Sequence, residues 1–251
     1  MRYFQLILFK TYADLKAEAA RSYLGFLWWV IEPVLYLGAF YILFVLVLHR
    51  GGPNFVPFFL CGAVVWKWFD SGIKVGSQSI RAHLGLLQQV YVPKYIFPII
   101  AVLNSTARFL PLFIILLIFL LLYGIHAQLT WLSAPIVMLA EFVMVMAISM
   151  LVGAITPYLP DLKVIIDNGM MLIFFTSGIF FNINEVDEPL RSYLFLNPMA
   201  VLVDEFRNIL IYGHWPNIAR LAIITFSSFA IGIIALLLLK HLDRQYGKVG
   251  L

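Results

Sequence analysis

The chain has 251 residues, of which 63% are hydrophobic and 12% charged, with a mean hydropathy of +0.95 and a formal net charge of +4. A soluble domain carries about a quarter of its residues charged, so this composition excludes one; it predicts a single integral membrane domain, 1–251, with room for about six spans. The lone Cys61 excludes a disulfide framework and a cysteine metal site.

Residues 3–9 are too short an apolar run for a cleavable leader, and Lys10, Asp14, Lys16 and Glu18 follow, so the start of the chain is expected to be retained. Phe4, Leu8, Tyr12, Leu15, Ala19 and Tyr23 share one face of a helix over 4–24, opposite Lys10, Asp14, Glu18 and Arg21; Lys16 falls off the polar stripe. That pattern predicts a helix lying in the membrane interface; a solvated helix packed on another subunit would show it too.

Hydrophobic length and Gly, Pro and charge punctuation place spans over 28–48, 55–80, 95–123, 131–156, 162–181 and 217–240. In the first, Trp29, Tyr36, Phe40 and Phe44 make an aromatic stripe suited to sugar rings, although such stripes also serve packing and interface belts. In the second, Lys67, Asp70, Lys74, Gln78 and Arg81 recur at steps of three and four and fall on one narrow helical stripe. Charges inside a membrane must face water or partners, so this stripe predicts the wall of a solvated passage. Gly72 and Gly76 sit on the opposite side, where small residues let a neighbouring helix approach closely. Arg108 and Glu141 are isolated charges in the third and fourth spans, and a buried structural ion pair is expected between them.

Between spans two and three, residues 83–92 interleave Leu84, Leu86, Leu87, Val90 and Tyr91 with His83, Gln88 and Gln89 and stop at Pro93. A short helix with exposed apolar residues needs a partner surface, unless it merely rests on the interface. Residues 182–217 are too apolar for a solvated loop. Asn197 reads as a helix N-cap with Pro198 in the first helical position, and Gly213 as the C-terminal stop. Met199, Leu202, Phe206, Ile209 and Leu210 form one face of that helix, and Asp204, Glu205, Arg207 and Asn208 the other. A helix of about 14 residues reaches only ~21 Å, short of the ~30 Å core, so 185–212 is expected to be a re-entrant hairpin at the outer mouth, with a surface-lying hairpin as the alternative.

Eleven Lys and Arg fall on the side of the termini and four on the other, which by the positive-inside rule puts both termini in the cytoplasm. The chain has no GxxxxGK[ST] loop, no HExxH and no GxSxG, so nucleotide hydrolysis is not expected of it. His49, His83, His126, His214 and His241 are scattered, which argues against a metal site, and no basic patch points to nucleic acid.

At this point three stretches carry a likeness. Residues 21–33, RSYLGFLWWVIEP, resemble the "LG.LW…EP" entry to the first span of type-2 ABC exporter permeases, in the branch that exports O-antigen and related polysaccharides. Residues 87–98, LQQVYVPKYIFP, resemble that family's segment before span three, and Asn197, Pro198, Arg207 and Gly213 its "NP…R…G" segment before span six. The resemblance covers essentially the whole chain and implies an all-α fold of six spans with an interface helix and an external hairpin. It further implies a homodimer in the bacterial inner membrane with two copies of an ATP-binding subunit that holds the ATP and Mg, no cofactor on this chain, and a polyprenyl-pyrophosphate-linked polysaccharide as cargo in an aromatic-lined channel. The segment with His83, Leu84, Leu87, Gln88, Gln89 and Tyr91 would be the coupling helix that touches the ATPase. Asn197, Pro198, Phe206 and Arg207 would belong to the periplasmic gate, while Lys74, Arg81 or Arg21 could meet a lipid pyrophosphate at the inner entrance. A permease for capsule, teichoic acid, a small lipid or a drug, and a membrane glycosyltransferase using the acids of 185–205, are the rival readings.

Overall fold

A computed structural model describes residues 2–21, 54–243 and 246, together with positions 27, 28, 31, 34, 35, 38, 39 and 42–47. Trp29, Tyr36, Phe40 and the side chains of Phe44 and Arg21 lie outside the described residues. The described structure is helical, and no strand occurs among these residues. Its helices are α1 (Arg2–Arg21), α2 (Phe55–Gln78), α3 (Leu84–Gln89), α4 (Ile96–Leu122), α5 (Ala134–Ile155), α6 (Leu162–Thr176), α7 (Leu190–Leu194), α8 (Pro198–Arg207) and α9 (Ile218–Leu242).

Among the described residues, three segments are long and apolar enough to cross a bilayer: Ile96–Leu122, Leu129–Ile155 and Ile218–Leu242. They fall where the third, fourth and sixth spans are expected. Helix α2 has 24 residues but carries Lys67, Asp70 and Lys74, which break up its apolar run. The fifth expected span, 162–181, stops early at Thr176, where the chain turns through Gly178 with a φ of +67°, a left-handed value that favours glycine. Fifteen residues rise only ~22 Å, short of the ~30 Å apolar core.

The core lies where α2, α4, α5 and α8 meet. Trp68 of α2 stacks on Phe109 of α4 with ring centroids 4.2 Å apart, and its indole N–H donates to Thr106 Oγ1 at 3.2 Å. The glycine face of α2 packs on α5 as its small-residue spacing predicts. A side chain at Gly72 would strike Val145, one at Gly76 would strike Ser149, and Ser149 Oγ donates to the Gly72 carbonyl at 3.0 Å. With no lateral hydrophobic effect in lipid, such close approach and cross-helix hydrogen bonding are what hold two spans together.

Two small helices close the bundle at opposite ends of α2. At the far end of α2, a turn over Arg81–His83 leads into α3. At the start of α2, α8 is wedged between α2, α5 and α9 and is buried along its whole length. Asn197 caps α8 by accepting from Met199 N–H at 3.0 Å, Pro198 occupies the first helical position, and Gly213, at φ +70°, ends the following turn over Asn208–Tyr212.

Candidate functional site

The polar stripe of α2 lies on its least covered face. Lys67, Asp70, Lys74 and Gln78 are all half-buried, whereas Ile73, Gly76 and Ser77 are buried. Asp70 and Lys74 pair at 2.7 Å one turn apart. Arg81 is exposed and belongs to the turn after the helix, so the stripe on α2 proper ends at Gln78.

What the Lys74–Gln78 end of this stripe faces is decided by α1. The helix runs along α4, and its polar residues turn inward: Lys10 and Asp14 pair with each other and border a cavity with Lys74 and Gln78, and Glu18 reaches Arg108 of α4 at 2.7 Å. Phe4, Leu8 and Tyr12 point away from the protein. The helix expected over 4–24 as an interface helix therefore turns its polar face toward the bundle, where Arg108 of α4 partners Glu18, and its apolar residues outward.

The expected ion pair between Arg108 and Glu141 is not formed. Arg108 takes Glu18, whereas Glu141 is fully buried on α5 and its carboxyl oxygens have no hydrogen-bond partner among the described residues. Arg108 and Glu141 are the isolated charges of their two spans, but the partner of Arg108 comes from α1, whose placement along α4 no spacing in the sequence encodes.

At the α3 end, the six residues proposed from sequence split between two environments. His83 folds back, bonding Ser79 O through Nδ1 at 2.8 Å and stacking on Phe97, and Leu87 packs on the core beneath. Leu84 is half-buried, and Gln88, Gln89 and Tyr91 are exposed together with Leu86 and Val90. This rim is anchored from below. Lys94, only 7% exposed, pairs with Asp243 at the end of α9 at 2.8 Å and lies over the Tyr91 ring, and the Tyr91 hydroxyl donates to Asp243 at 2.9 Å. That bond to the Asp243 carboxylate raises the Tyr91 pKa above its ordinary value. Tyr246, buried, donates to the Ala154 carbonyl at 2.8 Å, and burial raises its pKa.

At the opposite end, Arg207 is buried with no carboxylate in its grip. Its guanidinium donates to Phe58 O (3.1 Å), Gly178 O (2.8 Å) and Ile179 O (3.0 Å) and lies over the Phe58 ring at 3.3 Å. The turn after α6 would otherwise bury the Gly178 and Ile179 carbonyls without partners, while Phe58 O, already bonded within α2, gains a second donor. Asn197 adds a second tie, donating to Ser177 Oγ at 3.0 Å. Asp204 accepts from Asn184 Nδ2 at 2.9 Å, and Arg220 approaches both Asp204 (3.5 Å) and Glu205 (3.9 Å). The polar face expected for α8 is thus as buried as its apolar face, where Phe206 meets Phe113.

One polar surface escaped the sequence reading. On α6, Lys163 and Asn168 are exposed, Asp167 is half-buried and pairs with Lys163 at 3.3 Å, and Gly169 has open space around it. Three polar residues within one apolar 15-residue helix were the available signal, and they point away from the core.

Comparison with known proteins fits this arrangement. The family described as ABC-2 type transporter matches residues 6–211, most of the chain and all but the last helix. The chain belongs to that family. It is a multi-pass membrane component of a transporter, similar across 98% of its length, at 24% identity, to the O-antigen export system permease protein RfbA of Klebsiella pneumoniae, 95% of which is covered. The corresponding protein of Myxococcus xanthus is 28% identical over 85% of this chain and 82% of its own length. The polysialic acid transport protein KpsM of Escherichia coli is 24% identical over 80% of this chain and 79% of its own.

Proposed function

We propose that this chain is the membrane subunit of an ATP-driven exporter that moves polyprenyl-linked O-antigen or a similar polysaccharide across the bacterial inner membrane. Two copies would form the passage, and two copies of a separate ATP-binding subunit would supply ATP hydrolysis with Mg. The observation that carries the reading is the end-to-end likeness to O-antigen export permeases. In this reading both termini, α3 and the Lys94–Asp243 contact lie on the cytoplasmic side, which the Lys and Arg bias supports, and the α8 hairpin is re-entrant at the periplasmic mouth.

Within that frame each end has a task. The exposed rim of Leu86, Gln88, Gln89, Val90 and Tyr91 receives the ATP-binding subunit, and Lys94 with Asp243 passes its displacement to α9. Lys67 and Asp70 on α2, the aromatic stripe of the first span, and the open face of α6 with Asp167 and Asn168 border the passage between copies. Deletion of the gene in its host should remove surface polysaccharide, and the wild-type chain should restore it; unchanged surface polysaccharide would overturn the reading. The purified chain alone should hydrolyse no ATP, and a Leu86→Cys variant should cross-link to the ATP-binding subunit. The likeness to the polysialic acid transport protein KpsM favours a polymer of the polysialic acid kind as the second reading, separated from the first by which surface polymer the deletion removes.

A further inference from the structure

Helix α8 is fastened differently on its two sides. Toward α2 and the turn after α6, Arg207 holds it through main-chain carbonyls; toward α9 it is held by charged side chains. Its ten residues rise only ~15 Å, too little to cross a membrane, yet Asp204 is 7% exposed and Glu205 1%. Two carboxyls on successive residues thus meet α9 with little water. Glu205 Oε2 accepts at 3.0 Å from the N–H of Asn217, the cap of α9, whereas Oε1 has no hydrogen-bond partner among the described residues. The cation that approaches Oε1 is Arg220, at 3.9 Å, a half-exposed guanidinium that also approaches Asp204 at 3.5 Å and rests on the Phe195 ring. Asn184 donates to Asp204, and Asn208 approaches Glu205. Arg207 lies within electrostatic reach of Asp204, but its donors are taken by carbonyls, and the titratable α2 group near it is the Cys61 thiol. Tyr212 and Glu185, in the turns beside α8, bring no positive charge, nor does α5, whose titratable residue is Glu141. Burying an ionised carboxylate with an oxygen that no donor reaches is costly, and a proton removes that cost.

We propose that Glu205, with Asp204 beside it, is a proton-operated latch between α8 and α9, closed while the two carboxyls hold a proton between them and loosened when they give it up. With the proton on, the seam presents one carboxylate to the Arg220 guanidinium, and the uncharged carboxyl stays dry. With the proton lost, Glu205 Oε1 draws in water, which enters beside half-exposed Arg220 and parts the first turn of α9 from α8. Burial raises both carboxyls above the ordinary carboxylate range, against the opposing pull of Arg220 on each. Carboxyls raised in this way stabilise the closed seam in acid, and that stability is lost as the pH climbs through their folded values. Successive carboxyls titrate as a pair, so the proton belongs to both. Only the compartment whose pH is sensed rests on the orientation proposed above, which places this seam on the outer side; the latch itself needs neither cargo nor ATPase.

The test is the thermal unfolding midpoint of the full chain in detergent at about pH 5.5 and about pH 8, joined to hydrogen exchange over 217–222 corrected for the intrinsic effect of pH. Glu205→Gln keeps the shape and cannot ionise. It should raise the midpoint by about 2–4 °C at the higher pH, the scale of a modest stability change in a chain of this size, and leave it unchanged at the lower. Exchange over 217–222 should be severalfold slower in acid in the wild type and slow at both pH values in Glu205→Gln. Asp204→Asn should weaken the same pH dependence, which keeps the latch testable if Glu205→Gln misfolds. An equal shift of the midpoint at both pH values, exchange over 217–222 indifferent to pH in the wild type, or a dependence unchanged in both variants would each overturn the latch. So would stabilisation of the wild type at the higher pH by millimolar Mg or Ca that Glu205→Gln abolishes, since a metal ion would then balance the carboxyls. Surface polysaccharide lost on gene deletion while the seam ignores pH would leave the transport reading standing and remove only this one.

Discussion

Arg207 and Lys94 are both buried cations, one at each end of α2, and they are held in different ways. Arg207 spends its donors on three main-chain carbonyls from two separate segments, whereas Lys94 holds one side-chain carboxylate, Asp243, near an exposed helix. Main-chain carbonyls cannot be moved without moving the backbone, so the α8 end is cross-linked architecture. A side-chain ion pair can part and reform, so the α3 end is a joint. Under the proposed function, the first end holds its shape and the second receives the displacement.

The contrast is broken most severely by Arg207→Ala. The buried Gly178 and Ile179 carbonyls lose their donor at once and Phe58 O loses its second one, so destabilisation of about 3 kcal/mol is expected, read as a lowered midpoint of thermal unfolding in detergent. Arg207→Lys should not restore it, since an ammonium cannot reproduce the planar fork. Next comes Gly76→Leu, which drives a side chain into Ser149 and should cost about 2–3 kcal/mol by the same measurement. Asp243→Ala should cost less, about 1–2 kcal/mol, and act locally by leaving Lys94 buried without its carboxylate. Hydrogen exchange should then rise over 84–94 while α8 stays protected; equal rises at both ends would erase the distinction between joint and architecture. The smallest effect on stability, within about 0.5 kcal/mol, is expected for the exposed pair Leu86→Asp and Val90→Asp. Those two should instead lose co-purification with the ATP-binding subunit.

Local chemistry was the legible part. The Asn197–Pro198 cap, the Gly213 stop and the Gly72–Gly76 face are properties of a few neighbouring residues, and each is found at its expected place. The stripe on α2 was legible as a period. Which element it faces was not, because that depends on how α1 leans on α4, a contact between residues some ninety positions apart, such as Glu18 and Arg108. What Arg207 binds is illegible in the sequence for a related reason. In the sequence it belongs to a charged helical face; in the structure its partners are carbonyls, which every residue carries and no side-chain pattern reveals.

The seam between α2 and α5 has a mechanical corollary. Val145 and Ser149 sit where any side chain on Gly72 or Gly76 would have to go, and the Gly76 carbonyl crowds Gly153 in return. Helices meshed this tightly cannot slip by a turn; they travel as one beam. A push delivered at the Gln78 tip is therefore carried along the beam to Gly62, which lies against the guanidinium of Arg207.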